Sequence, residues 1–113
     1  MGRFSSPFGT LTIASSGTAS NIISNKLFGN AIALFIENDE TALTGTVTIQ
    51  VSSILTAVAG DMENFSINGT DQTVTALSRD FVGPVGGFQS VSLLSSGAEA
   101  SERTFELHAV MEG

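Results

Sequence analysis

The sequence predicts an all-β chain: a single antiparallel β-sandwich or jelly roll of about 7–8 strands. Three observations predict it. Apolar and polar residues alternate, most cleanly in TGTVTIQVSS (44–53), where Thr44, Thr46, Thr48, Gln50 and Ser52 interleave with Gly45, Val47, Ile49 and Val51. A period of two puts the two sets on opposite faces of a strand. Short clusters of Gly, Asn, Asp and Ser separate the alternating segments, as a hairpin-rich fold requires. Helical periodicity is nearly absent, and β-branched residues dominate the periodic stretches.

Each element follows in order. Residues 1–8, MGRFSSPF, do not alternate and are read as an extended N-terminal arm carrying Phe4 and Phe8. Residues 9–113 form the single domain, since a chain of this length supports one core. TLTIAS (10–15) points Leu11 and Ile13 inward, and SNIIS (20–24) is a short, weak strand. AIALFIE (31–37) is apolar on both faces, and TGTVTIQVS (44–52) is the clearest strand. SSILTAVAG (52–60) is the exception. It fits a strand continuation or a turn or two of helix with Ile54, Leu55 and Val58 on one face, and it is read as an irregular connection. NFSIN (64–68) turns Phe65 and Ile67 inward, and QTVTAL (72–77) offers Val74 and Ala76. Asn68-Gly69 between them is a hairpin signal, because both residues tolerate positive φ. VGPVGG (82–87) is a loop, with Pro84 blocking strand continuation. GFQSVSLLS (87–95) and ERTFELHAVM (102–111) follow. In the last strand Arg103, Phe105, Leu107, Ala109 and Met111 share a core face capped by a cation. Glu102, Thr104, Glu106, His108 and Val110 share the solvated one, and a one-residue slip would exchange the two. Phe28, Phe35, Phe65, Phe81, Phe88 and Phe105 are core candidates.

Composition excludes several functions. Net charge is −7, and the only cations are Arg3, Lys26, Arg79 and Arg103, which do not cluster. Phosphate neutralisation needs clustered cations, so neither nucleic acid nor an anionic membrane is an expected partner. The sequence has no cysteine, hence no disulfide framework and no thiolate metal site. MGRFSSPFGT lacks the apolar stretch of a secretory signal, and no apolar run approaches the roughly 20 residues of a membrane helix. Synthesis in a host cytoplasm is the expectation. His108 is the only histidine, and no GxSxG or other orienting motif accompanies it. No catalytic residue, cofactor or small-molecule substrate is expected. Glu37, Asp39 and Glu40 form an acidic turn with oxygens suited to Ca²⁺, but a solvated turn is the commoner outcome for such a cluster. DMENFSINGTDQ (61–72) fails calcium-loop spacing, because Phe65 stands where a ligand belongs. Asn64-Phe65-Ser66 and Asn68-Gly69-Thr70 are glycosylation sequons without a secretory context. The absence of Trp and Tyr removes the rings that usually stack sugars.

Charged residues make up only 13% of the chain, about half the usual share. A polar strand face built from Thr44, Thr46, Thr48 and Gln50 is therefore unusual, since solvated faces normally carry Lys and Glu. Hydroxyls and amides enter a subunit contact at lower desolvation cost than charges. Phe4 and Phe8 supply apolar area for the same purpose. These six residues are the candidate interface.

SSGTASN (15–21), ALTGTVTIQVSS (42–53) and SERTFEL (101–107) together resemble small β-sandwich virion structural proteins of tailed bacteriophages. In that group a Ser/Gly/Ala turn opens into a strand, a Thr-rich strand stands at the centre, and an Arg-bearing strand closes the chain. An aromatic-rich loop often follows the central strand there, and SSILTAVAG occupies that position here. The resemblance implies a structural role on the virion: head cement or decoration on the capsid surface, or a tail or fibre component. It implies the major capsid protein and further copies of the chain, as a homo-trimer or homo-dimer, as partners. A receptor- or glycan-binding β-sandwich module is the alternative from a different class.

Overall fold

The computed structural model describes residues 3–25, 28, 33–38, 43–74, 79–82 and 88–112. The described residues form eleven strands: β1 (Arg3–Ile13), β2 (Ile23–Ser24), β3 (Ala33–Asn38), β4 (Val47–Ser52), β5 (Glu63–Asn64), β6 (Ser66–Ile67), β7 (Thr70–Asp71), β8 (Thr73–Val74), β9 (Arg79–Val82), β10 (Ser90–Ser95) and β11 (Arg103–Glu112). A 3₁₀ turn at Ala59–Asp61 lies between β4 and β5. The chain is all-β, and every ladder is antiparallel.

One sheet has the order β1-β11-β3-β9. The other runs β2-β10-β4-β5, with β8 also paired to β4, and β6-β7 is a separate two-stranded ribbon. Leu11, Ile13, Ile36, Phe105 and Leu107 from the first sheet join Val47, Ile49, Val74, Val91 and Leu93 from the second in one buried cluster. Phe28 and Phe88 complete it, 6.3 Å apart between ring centres, and Phe65 packs 5.9 Å from Phe88. Period-two alternation is what makes this cluster possible, because each strand delivers apolar side chains to one face. The total accessible surface is 5768 Å², close to the roughly 5,900 Å² that a folded monomer of this mass exposes.

The two longest strands, β1 and β11, pair along their whole length from Arg3↔Glu112 to Ile13↔Arg103. Residues 1–8, expected as an extended arm, are described from Arg3 onward, and there they form the first part of β1. Phe4 pairs with Met111, and Phe8 is the extra residue where the register shifts between Pro7 and Gly9. A bulge interrupts the strict period of two, so the alternation of TLTIAS is not carried through it into MGRFSSPF. Gly9 sits at φ 145°, and a Cβ there would stand 3.0 Å from Ile23 Cδ1.

Several expected boundaries move, each for a bonding reason. The strand expected over 44–52 begins at Val47, because the backbone N–H groups of Thr44 and Gly45 turn to another acceptor. The strands expected over 64–68 and 72–77 are broken into β5, β6, β7 and β8. Ile49 holds both arms of this hairpin: its O accepts from Phe65 N at 2.8 Å and its N–H donates to Gln72 O at 2.9 Å. The β6–β7 ribbon projects between those two bonds and turns at Asn68 (φ 53°) and Gly69 (φ 81°). Residues 79–81, which the sequence does not assign, and Val82, expected as the start of a loop, form the edge strand β9, because they pair with β3 from Leu34↔Val82 to Glu37↔Arg79. Residues 83–87, Ala76 and the turn 39–40 lie outside the described residues. In β11, Arg103, Phe105 and Leu107 are buried while Glu106 is exposed and His108 half-buried, as the register argument requires.

Candidate functional site

The expected polar stripe is not one surface. Thr48 and Gln50 stand on the outward face of β4, half-buried, opposite Val47 and Ile49. Gln50 donates to Asn64 Oδ1 at 3.0 Å, Asn64 donates to Asp71 Oδ2 at 3.1 Å, and Ser66 donates to Asp71 Oδ1. The result is an exposed row of amides and a carboxylate running from β4 across β5 to the ribbon. Thr44 and Thr46 are exposed but precede the strand, at the far end of the sheet. Thr44 Oγ1 accepts from Ala100 N at 3.0 Å and from Arg103 Nη2 at 3.3 Å, so its hydroxyl serves the fold. Phe4 and Phe8 belong to β1 by backbone pairing.

At the opposite end of β4 lies a feature with a clearer contact character. Ile54, Leu55 and Val58 are 49%, 42% and 65% exposed, the large apolar side chains left outside among the described residues. Their loop is pinned from beneath. Ser52 Oγ accepts from Ile54 N at 3.1 Å, and Ser90 Oγ donates to Ile54 O at 2.7 Å while standing 2.8 Å from Ser24 Oγ. Ser52 and Ser90 are themselves buried. Val58 N donates to Asp61 Oδ2 at 3.0 Å, which closes the far side of the loop. Thr56, at φ 62°, occupies a left-handed conformation that a β-branched residue adopts at a cost. The sequence flagged SSILTAVAG as irregular, and that is what it is; its outward apolar side chains are the surprise.

Beneath the Thr44 end is a buried ion pair that sequence reasoning missed. Glu99, 1% exposed, accepts from Thr44 N at 2.9 Å, Gly45 N at 2.9 Å, Ser95 Oγ at 2.7 Å and Arg103 Nε at 2.8 Å. Burial alone raises the carboxyl's pKa. The Thr44 N–H, the Arg103 guanidinium, the Ser95 hydroxyl and the Gly45 N–H outweigh it, taking the pKa from an ordinary 4.5 to about 2. Glu99 is therefore ionised across the physiological range. Arg103 also donates to Ser101 Oγ at 2.9 Å. Gly45 must be glycine for this packing: a Cβ would fall 2.6 Å from Ser95 Oγ and 2.9 Å from Gly97 N. The signal was present in the sequence as a Glu four residues before an inward-facing Arg, inside an otherwise neutral turn.

The remaining candidates find ordinary settings. His108 Nε2 lies 3.7 Å from Glu106 Oε1, its neighbour on the solvated face of β11. Asn64, of the first sequon, is engaged with Gln50 and Asp71, and Asn68, of the second, forms the hairpin turn. Among the described residues no group of three His, Cys, Asp or Glu side chains is placed to hold a metal ion. No described helix is long and apolar enough to cross a membrane. Comparison with protein-family models, curated proteins and solved structures gave no match.

Proposed function

We propose that this chain is a virion structural protein of a tailed phage, most simply a head cement or decoration protein that bridges neighbouring major capsid proteins. In this reading the two larger sheets form a β-sandwich, and the protein works by adhesion. The observation that carries the proposal is the pinned apolar loop: Ile54, Leu55 and Val58 are held outward by hydrogen bonds to buried serines. An ordered apolar knob gives up little conformational freedom when a neighbour covers it. Phe4 and Phe8 on β1, and Thr48 and Gln50 on the neutral face of β4, supply further contact area of low desolvation cost. A homo-trimer or homo-dimer would repeat these contacts, and many weak contacts acting together hold a shell against internal pressure.

The test is copy number. Quantitative mass spectrometry of purified particles should find hundreds of copies per particle. A dozen or fewer would move the protein to the tail or a fibre, and absence from particles would end the virion reading. The exposed row Gln50–Asn64–Asp71–Ser66 favours one second reading, a receptor- or glycan-binding module, because amides and carboxylates in a row match sugar hydroxyls. That reading requires a soluble glycan whose binding is lost in Asn64→Ala.

A further inference from the structure

We propose that Glu99 is a detachable latch: it holds residues 15–17, 44–45 and 97–101 closed as one unit, and that unit opens while both large sheets remain folded.

Most of the bonds between these loops converge on this residue, the others being Ala100 N to Thr44 Oγ1 at 3.0 Å and Ser15 Oγ to Ala100 O at 3.5 Å. Its backbone joins the first loop, Ser16 N donating to Glu99 O at 2.8 Å and Glu99 N donating to Gly17 O at 3.0 Å. Its carboxylate joins the second through Thr44 N and Gly45 N. It joins the ends of β10 and β11 through Ser95 and Arg103. Arg103 is the charged side chain that faces it among the described residues, and the adjacent Glu102 is exposed. Removing the carboxylate's charge thus strands a buried guanidinium and two buried-side N–H donors together.

Two observations make the unit separable. None of residues 15–17, 44–45 and 97–101 belongs to the buried hydrophobic cluster. The links just inside them do not involve Glu99: Ser95 N to Thr18 O at 2.7 Å, Ser96 N to Thr46 O at 2.8 Å, and Thr46 N to Ser96 Oγ at 2.9 Å. Opening therefore stops at Thr18, Thr46 and Ser96, where the ladders begin. Local units of this kind open at lower free energy than the whole domain. The unit carries exposed Thr44, so the latch also sets the shape of that part of the surface. The inference does not depend on the virion reading.

The experiment is amide hydrogen exchange resolved by residue in solution NMR. In the wild type, the amides of Ser16, Thr44, Gly45 and Glu99 should share one opening, and exchange at least about tenfold faster than those of Ile49 and Phe65. In Glu99→Gln the four should accelerate together by about tenfold or more, and Ile49 and Phe65, which open only in larger unfolding events, should remain the slower set. Glu102→Gln, beside it but exposed, should change nothing. Exchange of the four loop amides at the same rate as the sheet amides in the wild type would overturn the proposal. So would unchanged exchange at those four amides in Glu99→Gln. The wild-type measurement decides the matter even if the variant does not fold.

Discussion

At the scale of single residues, the strongest interactions lie in the loops rather than the strands. Glu99 loses its hydration on burial and regains it as four hydrogen bonds, one of them from a guanidinium. Breaking a buried pair from one side leaves an uncompensated charge, so Glu99→Gln should lower stability by about 3–5 kcal/mol in urea unfolding. The double variant Glu99→Gln, Arg103→Met should recover part of that loss, since it removes the stranded cation as well. The sign of the pH dependence follows from the lowered pKa. The unfolded carboxyl titrates near 4.5 and the folded one near 2. The stabilisation, about 3 kcal/mol, is therefore fully present above pH 4.5 and lost as pH falls towards 2. The gap in urea midpoint between wild type and Glu99→Gln should close over that window. Gly45→Ala should cost about 1–3 kcal/mol, read as a lower Tm, because its Cβ meets Ser95 Oγ and backbone at Gly97 that cannot easily retreat.

At the scale of elements, β1 shows how an exposed edge is kept safe. It is the end strand of its sheet, and such an edge invites pairing with another chain. Three features oppose this. Pro7 removes a donor, the bulge at Phe8 bends the strand, and Asn21 takes the place of a neighbouring strand. The Asn21 side chain accepts from Thr12 N at 2.8 Å and donates to Thr10 O at 3.0 Å. Asn21→Ala should lose about 1 kcal/mol, a net hydrogen bond's worth, and should also raise the light scattering of concentrated solutions. Thr56 belongs to the loop after β4. Its φ of 62° is relieved by glycine, so Thr56→Gly should raise stability by about 0.5–1 kcal/mol in thermal unfolding, despite glycine's freer unfolded chain. Thr56→Val, equally branched, should give no gain.

At the scale of the whole molecule, one cluster fed by two sheets carries the stability, and the surface around it is free to serve contact. The eleven-residue β1 spans about 36 Å at strand rise, most of the 43 Å long axis. The molecule is thus elongated along its first and last strands. The Glu99 cluster stands at one end of β4 and the apolar loop at the other. This separation makes the contact role testable apart from folding. Leu55→Asp with Val58→Asp should cost about 1 kcal/mol or less, because Val58 is mostly exposed and Leu55 is partly so. Under the proposed virion role, the same double variant should be lost from purified particles that retain the wild type. Retention equal to wild type would remove the loop from the contact.

The sequence by itself determined the class of fold, the facing of the best strands and the core they make. Leu11, Ile13, Val47, Ile49, Val74, Phe105 and Leu107 are buried because period-two alternation is a local property, written in neighbouring residues. The Asn68-Gly69 turn was legible for the same reason. Of the candidate interface, Thr48 and Gln50 were placed correctly on an outward face, while Thr44 was claimed by an internal bond that no local pattern announces. Only the tertiary structure decided the strand order, the annealing of residues 3–8 to β11, the splitting of the 63–74 hairpin around Ile49, and the burial of Glu99. Each of these joins residues far apart along the chain. Their physical cause is a partner's unspent hydrogen bond or an uncovered charge, and neither leaves a periodic trace in sequence.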